Sequence, residues 1–414
     1  MFRKAVSILM AVFSLSSSIA YGDTIKTISG ESVVEVSAPV IEAESAIIVD
    51  IRTGQQLYGK NIYEKKFPAS ITKIMTCMLA IENLDLDDVI TFSKEAVNIE
   101  MGSSAAYVVE GEQVGVKDCL YGLMVHSCND LANGLAEAVS GDLASFAALM
   151  NKTAKELGCT NTNFVNAHGL DDDNHYTCAY DMAIIGKHAY ESQALYRDII
   201  KQQRYQVEPT NKCEETRYWK NGNELILEGG WYYYEECLGG KTGYTEKAGY
   251  TLVSYANING RELICVLLDA PTKGQAAEET KSLFEFIKEN VSVDYYVQID
   301  KIYKEEKEQE ESIDAANKVQ QEKQTSVKNE NNDENNKSKS KIPLWVKILV
   351  TIIIILGGFY GYLRYKIYIR RKRRREMRRR RRMEQRRKME ERYRQTRFYQ
   401  NNSSVENTED SWQE

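Results

Sequence analysis

Residues Pro68–Lys73 read PASITK and lead directly into a largely apolar run, Ile74–Ile81. The S-x-x-K spacing brings Ser70 and Lys73 to one face if the segment is helical. A serine hydroxyl is a poor nucleophile until a base takes its proton, and a neutral lysine can be that base. Burial beside another cation lowers the pKa of a lysine. The segment therefore predicts an activated serine at the start of a buried helix.

Two further short motifs follow in fixed order, S-C-N at 127–129 and K-T-G at 241–243. With S-x-x-K they form the inventory of a serine acyl-transferase that works without a histidine. Ser127 can relay a proton, and Asn129 can hold a substrate amide. Lys241 is the cation expected beside the first lysine.

The K-T-G motif suits an anionic substrate bound along a strand. Its lysine and Thr242 match a carboxylate, while Gly243 allows the backbone to approach the substrate closely. A non-catalytic interpretation makes Ser70 a helix cap, Lys73 a surface residue and K-T-G a turn. The ordered set of three motifs favours the catalytic interpretation.

Both ends of the chain carry membrane signals. Residues 1–22 have two basic residues, an apolar run and small residues, which predicts a secretory signal peptide, with an uncut anchor as the alternative. Residues 342–363 predict a transmembrane helix. The arginine-rich segment 364–414 follows it and predicts a cytoplasmic tail, which puts the body of the protein on the outer, cell-wall side of the cell membrane.

The charge is divided between these parts. The net charge of −6 sums an acidic body and a very basic tail. Arginines beside a membrane favour contact with anionic lipid head groups, so nucleic acid is the less favoured partner. Residues 301–341 are rich in Glu, Lys, Asn and Gln and predict a disordered stalk, while 23–40 form an N-terminal leader.

The eight cysteines show no compact framework. We expect most of them to be reduced, with Cys119–Cys128 or Cys213–Cys237 as the alternative pairs. The four histidines have no ligand spacing with the cysteines, so no metal and no cofactor is expected.

The apolar pattern predicts an α+β fold in which one antiparallel sheet is packed by helices. Strands are predicted at both ends of the domain, with helices between them and a last helix after them. The predicted strands are 45–50, 55–58, 249–256 and 263–268, and the predicted helices are 114–125, 130–139, 145–157 and 278–289.

The three motifs, S-x-x-K, S-C-N and K-T-G, and the sequence around them resemble the serine-type D-alanyl-D-alanine carboxypeptidases. These are the low-molecular-mass penicillin-binding proteins of peptidase family S11. The likeness covers about 41–290 and extends beyond the three motifs. It includes Ala46–Asp50, Asn166–Leu170, His175–Ala183 and Tyr244–Thr245.

The resemblance implies a β-lactamase/transpeptidase-like fold with a catalytic domain over 41–300. It implies that Ser70, with Lys73 as base, attacks the carbonyl between the two terminal D-alanines of a peptidoglycan stem peptide. Ser127 and Lys241 would then protonate the departing D-alanine, and β-lactams would acylate the same serine. The implied substrate-binding residues are Asn129, Lys241, Thr242, Gly243 and Tyr244.

Two positions depart from the family pattern. Cys128 stands where glycine is common, so its side chain either crowds the site or points away. Gln275 stands where an arginine assists carboxylate binding in many members, which puts substrate affinity in doubt.

The motifs are also compatible with rival functions. A β-lactamase of the commonest class needs a glutamate in a Glu-x-x-Leu-Asn pattern before K-T-G, and the sequence has none. The acidic run Asp171–Asp173 is more typical of a solvated turn than of a base, and His168 and His175 are expected to be structural. The sequence is also compatible with a non-catalytic muropeptide-binding scaffold and with a transpeptidase.

Overall fold

The computed structural model describes residues 24–29 and 32–309. Strands come first along this part of the chain, most of the helices follow them, and the three longest strands are the last three. The strands are β1 (Thr24–Ser29), β2 (Ser32–Ser37), β3 (Ser45–Asp50), β4 (Gln56–Lys60), β5 (Val89–Thr91), β6 (Gln113–Gly115), β7 (Arg204–Val207), β8 (Arg217–Lys220), β9 (Cys237–Thr245), β10 (Gly249–Ile258) and β11 (Arg261–Ala270). The helices are α1 (Lys73–Asn83), α2 (Val116–Tyr121), α3 (Asn129–Ser140), α4 (Leu143–Glu156), α5 (Ala179–Ser192), α6 (Ala194–Ile200), α7 (Lys273–Asn290) and α8 (293–309).

Five strands form the central antiparallel sheet in the order β4-β3-β11-β10-β9. Shorter two-stranded pairs join β1 to β2, β5 to β6 and β7 to β8. Since β9 is an edge strand and carries K-T-G, the third motif lies at one margin of the sheet. The predicted α+β architecture is confirmed.

Both faces of the sheet are covered, which explains the unbroken apolar run of β3. Along this strand Ile47 and Val49 face the helical layer that contains α1 and α3, while Ala46 and Ile48 face the layer that contains α7. The alternation follows from the period of two of a strand. Helix α1, which begins at Lys73, is therefore packed inside the larger of the two hydrophobic clusters.

The helix predicted for 114–125 is present from Val116 onwards, but it begins two residues later than predicted and changes from α-helix to π-helix at Gly122. Val114 pairs with Ile90 in the small sheet of β5 and β6, and Gly115, in extended conformation, precedes α2. A π-helical turn, Gly122–His126, then replaces the end of the expected helix. A side chain at Gly122 would lie 2.4 Å from Leu131 and 2.6 Å from Trp219, so close packing shapes this turn.

The predicted stalk begins with ordered residues. Helix α8 includes 301–309, because Tyr296 and Ile299 are buried against the domain and Asp300 pairs with Arg261 at 2.8 Å. No helix within 24–29 and 32–309 combines the length and apolar composition needed to cross a membrane. The predicted signal peptide (1–22), the rest of the stalk (310–341), the transmembrane helix (342–363) and the tail (364–414) lie outside the described residues.

Candidate active site

The serine of S-x-x-K lies on a 3-10 turn, Ala69–Thr72, immediately before α1. Residues three apart eclipse each other in this geometry, so the Oγ of Ser70 and the Nζ of Lys73 are 2.9 Å apart. Gly169 packs against the backbone of this turn and has a φ of +93°. A Cβ there would lie 1.8 Å from the carbonyl oxygen of Ala69, so only glycine fits.

Lys73 is fully buried and has three polar neighbours. Its Nζ lies 2.7 Å from Oδ1 of Asn129 and 2.7 Å from the carbonyl oxygen of His168, besides Ser70. Burial, and then the charge of Lys241, lower its pKa well below the usual value. A neutral amine donates two hydrogen bonds, which the two carbonyl oxygens accept, so its lone pair is left for the hydroxyl proton of Ser70.

Lys241, the lysine of K-T-G, is hydrogen-bonded to Ser127, the serine of S-C-N. Nζ of Lys241 donates to Oγ of Ser127 at 3.0 Å and to the carbonyl oxygen of Thr242 at 2.7 Å. Ser127 has a left-handed φ of 67° where the π-helical turn ends. Burial lowers the pKa of Lys241 to about 7. The charge of Lys241 is itself a cause of the lowered pKa of Lys73, and with a pKa of about 7 Lys241 carries its charge below neutral pH and loses it above.

The S-C-N motif places one side chain in the site and one in the core. Asn129 begins α3, and its backbone N–H donates to the carbonyl oxygen of Ser104 at 2.8 Å. Cys128 is fully buried in the hydrophobic cluster and does not line the cleft. Of the two outcomes considered for this departure, the side chain pointing away is the observed one.

Strand β9 lies directly against the nucleophile turn. A Cβ at Gly243 would lie 2.7 Å from the backbone nitrogen of Ser70 and 2.4 Å from Oγ1 of Thr251, so the approach leaves no room for a side chain. Tyr244 follows it, 54% exposed and in ring contact with Tyr250 at 4.4 Å. An edge strand beside a serine is suited to an extended peptide, which can pair with its backbone.

The three motifs meet at one cleft of about 630 Å³. Six of the eight predicted site residues line it, and the two lysines lie beneath its floor. The lining site residues are Ser70, Ser127, Asn129, Thr242, Gly243 and Tyr244.

Sequence reasoning missed the part of the cleft wall formed by residues 100–104 and the aspartate that fixes the segment after it. Asp130, 1% exposed, accepts hydrogen bonds from the backbone N–H groups of Ala106 (3.0 Å), Val108 (3.1 Å) and Leu131 (2.9 Å). It thereby ties the segment after Ser104 to the helix that carries the asparagine of the second motif. In the sequence, an aspartate in the first turn of a helix looks like an ordinary helix cap. Nothing in the sequence therefore indicated that Asp130 accepts hydrogen bonds from residues more than 20 positions away.

Two of the four histidines have structural surroundings, as predicted. In His175, Nδ1 accepts from the backbone N–H of Val165, and Nε2 faces Oγ1 of Thr72 at 2.9 Å. Burial lowers the pKa of His168 to about 3 and that of His175 to about 4, so both rings are neutral. His126, which the sequence did not single out, lines the cleft.

The second departure from the family pattern, Gln275, lies at the start of a helix near the rim of the cleft. Gln275 lies in the first turn of α7, where its N–H donates to the capping hydroxyl of Thr272 at 3.1 Å. The cation on this side is Lys273, which lines the cleft and pairs with Glu224 at 2.7 Å. Asp171 accepts from the hydroxyl of Thr245 at the opposite rim.

All eight cysteines are free thiols, so neither alternative pair forms a disulfide. Burial raises the pKa values of the buried thiols, which keeps them unreactive. Among the residues that the structure describes, no cluster of His, Cys, Asp or Glu could hold a metal ion.

The chain matches known proteins over this same region. It is 38% identical to the D-alanyl-D-alanine carboxypeptidase DacF of Bacillus subtilis over 249 residues, 58% of this chain and 61% of the relative. It is 36% identical to DacC of Escherichia coli over 257 residues, 60% of this chain and 62% of the relative. The match thus spans about three fifths of the length of these curated relatives.

Solved structures give the same result. Penicillin binding protein 5 from Haemophilus influenzae superposes with a TM-score of 0.56 at 33% identity, covering 61% of this chain and 72% of the other. The Streptomyces K15 DD-transpeptidase has a TM-score of 0.56 at 27% identity, covering 61% and 98%. The D-alanyl-D-alanine carboxypeptidase family profile matches residues 32–272. The chain therefore belongs to peptidase family S11, the D-alanyl-D-alanine carboxypeptidases.

Proposed function

We propose that the protein is a serine D-alanyl-D-alanine carboxypeptidase that removes the terminal D-alanine of peptidoglycan stem peptides. One observation carries the proposal: the hydroxyl of Ser70 lies 2.9 Å from a buried amine whose pKa is well below the usual value. Nothing in a binding module requires a lysine to be buried in this costly way. Similarity to the D-alanyl-D-alanine carboxypeptidases DacF and DacC supports the same substrate class.

Acylation begins with the transfer of the Ser70 proton to Lys73. The serine oxygen then bonds to the carbonyl carbon between the two D-alanines, and the resulting oxyanion accepts from the backbone N–H groups of Ser70 and Tyr244. Each such donor contributes about 3 kcal/mol in comparable enzymes. The C–N bond breaks as the nitrogen takes a proton from Ser127, which lies 3.0 Å from Lys241 and is reprotonated through it.

Substrate binding uses the edge of the sheet. The terminal carboxylate is held by Thr242 above the positive charge of Lys241, and Asn129 holds the substrate amide. The peptide lies along β9, where Gly243 and Tyr244 face it. Water then hydrolyses the ester and frees Ser70. β-Lactams present a carboxylate and a strained amide in the same arrangement, so they acylate the same serine and block the enzyme.

A transpeptidase is the second candidate, because the structural neighbour from Streptomyces is a DD-transpeptidase. The acyl-enzyme is the same in both reactions, and only the acceptor differs, an amine or water. The β-lactamase alternative would need a carboxylate base, for which the acidic run Asp171–Asp173 was considered. Two of its three carboxylates are already engaged. Asp171 bonds to Thr245, and Asp173 pairs with Lys247 at 2.8 Å.

We further infer that the catalytic domain acts on the cell-wall side of the membrane. The sequence supports this through the signal-peptide pattern of 1–22 and the apolar segment 342–363. The arginines of 364–414 support a cytoplasmic tail in contact with anionic lipid head groups. A protease added to intact cells tests the topology: it should remove the domain and spare an epitope placed at the C-terminus.

Mass spectrometry of the detergent-solubilised full chain with benzylpenicillin tests the proposed function, alongside Ser70→Ala. We expect a stable adduct on the wild type alone, and D-alanine release from an acyl-D-Ala-D-Ala peptide. Rapid turnover of penicillin without a lasting adduct would instead indicate a β-lactamase. No reaction with either compound would indicate a non-catalytic scaffold.

A further inference from the structure

His126 ends a column of four aromatic rings that leads from the core to the cleft. Tyr121 stacks on Tyr205 with ring centroids 4.0 Å apart and planes at 8°. Tyr205 stacks on Trp219 at 6.3 Å and 18°, and Trp219 on His126 at 6.3 Å and 12°. Near-parallel offset rings at these distances attract one another. The buried part of the column therefore fixes the plane of an imidazole that lines the cleft.

The nitrogens of this imidazole are not used inside the protein. Within 24–29 and 32–309, neither ring nitrogen of His126 makes a hydrogen bond, and the side chain is exposed to the cleft. In contrast, Nδ1 of His168 and Nδ1 of His175 both accept from backbone N–H groups. A ring held in place by stacking, with unpaired nitrogens towards a substrate cleft, has the properties of a binding group.

The same flank of the cleft carries positive charge. Strand β8, which supplies Trp219, continues into Lys220, which also lines the cleft. Two residues further, a Cβ at Gly222 would lie 2.7 Å from Oγ1 of Thr242, so this flank runs from the imidazole to the K-T-G motif. Burial, and then the charge of Lys241, lower the pKa of the His126 ring, while the charge of Asp130 acts in the opposite direction.

One buried carboxylate near this flank, that of Asp130, is used within the protein. Asp130 is buried and accepts from three backbone N–H groups, so its carboxylate oxygens are engaged inside the protein. The cleft as a whole is also lined by the carboxylates of Glu100, Asp171 and Glu246. On this flank, the unpaired imidazole lies with Lys220 and the buried Lys241, and this local positive charge favours an anionic ligand group.

We propose that His126 is a substrate-binding residue that donates a hydrogen bond to the C-terminal carboxylate of the peptide in the cleft. The proposal rests on the proposed function and adds a residue of this chain to the recognition of the leaving D-alanine. The aromatic column holds the donor in place before the substrate arrives, so little conformational entropy is lost on binding.

The test compares two substrates, acyl-D-Ala-D-Ala and the same peptide with a C-terminal amide, on the full-length protein. His126→Ala should lower kcat/KM for the acid about tenfold, mainly through KM, as expected for a hydrogen bond to a charged group. It should change the amide less than twofold. His126→Gln keeps a donor and should recover most of the loss, while His188→Ala on α5, outside the cleft lining, should change neither.

Equal losses on the acid and the amide would overturn the proposal, since they would show that His126 only packs against Trp219. Failure of the proposed function is recognised separately, because the wild type would then release D-alanine from neither peptide. In that event, the rates of acylation by benzylpenicillin, which has a free carboxylate, and by its methyl ester, which has none, are compared instead. This comparison does not require D-alanine release. If His126→Ala slows both acylations equally, or if the wild type forms no adduct with either, the assignment of His126 is wrong.

Discussion

Replacing Gly243 by alanine tests the contact between β9 and the nucleophile turn. The position has no left-handed φ, so an alanine meets no backbone strain there and the only obstacle is space. Its Cβ would lie 2.4 Å from Oγ1 of Thr251, 2.7 Å from the nitrogen of Ser70 and 3.0 Å from Cβ of Ala69. Ordinary contacts begin near 3.4 Å, so the strand and the turn must separate by about 0.7 Å to relieve the contact with Ser70.

Two consequences follow from this separation. Overpacking of this kind lowers the free energy of unfolding by about 1–3 kcal/mol. A displacement approaching about 1 Å between the two proposed oxyanion donors, one on the turn and one on β9, lowers the rate by up to about 100-fold. We therefore expect Gly243→Ala to slow acylation by a fluorescent penicillin by up to about 100-fold, measured on the full chain, with a moderate loss of stability in urea.

Gly186→Ala is the matched control. On α5, its Cβ would lie 2.5 Å from Cδ1 of Ile264 and 2.9 Å from the hydroxyl of Tyr255, and Gly186 does not line the cleft. It should lose similar stability and acylate at the wild-type rate. The double variant Gly243→Ala with Thr251→Ala removes the shortest clash but leaves the one with Ser70, so it should not regain the rate. Wild-type acylation by Gly243→Ala would refute the reasoning.

Three further outcomes are expected. Acylation should fall as the pH drops through the lowered pKa of Lys73, because the protonated amine cannot take a proton; Lys73→Arg should acylate at background rate at every pH tested. For a carboxylate substrate, kcat/KM should fall above a pH of about 7 as Lys241 loses its charge, and Lys241→Arg should move this limb to higher pH. Asp130→Ala should lower the free energy of unfolding by about 3 kcal/mol in urea, because the N–H groups of Ala106 and Val108 lose their acceptor; equal stability of Asp130→Ala and wild type would contradict this.

Elements with a strong local signal were predicted closely. The strand at 45–50 has the predicted bounds, and the Asn259-Gly260 turn joins β10 to β11 with both residues at positive φ, as this dipeptide favours. The helix predicted for 114–125 was correct from Val116, but its first two residues belong to β6 and its end is a π-helical turn, which close packing at Gly122 shapes. The edge strand β9 was recognised by its motif rather than by a strand pattern, since close packing fills it with glycines.

The sequence by itself determined the reactive groups and their order, because nucleophile, lysines and carboxylate-binding residues are specified by residue type and short spacing. It also determined the α+β class through the periodicity of its apolar residues. Only the tertiary structure decided which lysine is neutral, since this depends on burial and on the 2.7 Å contacts of Lys73 with groups from distant segments. It alone decided that Cys128 points into the core and that His126 faces the cleft. Burial and long-range contacts are properties of the packed chain, and no local pattern encodes them.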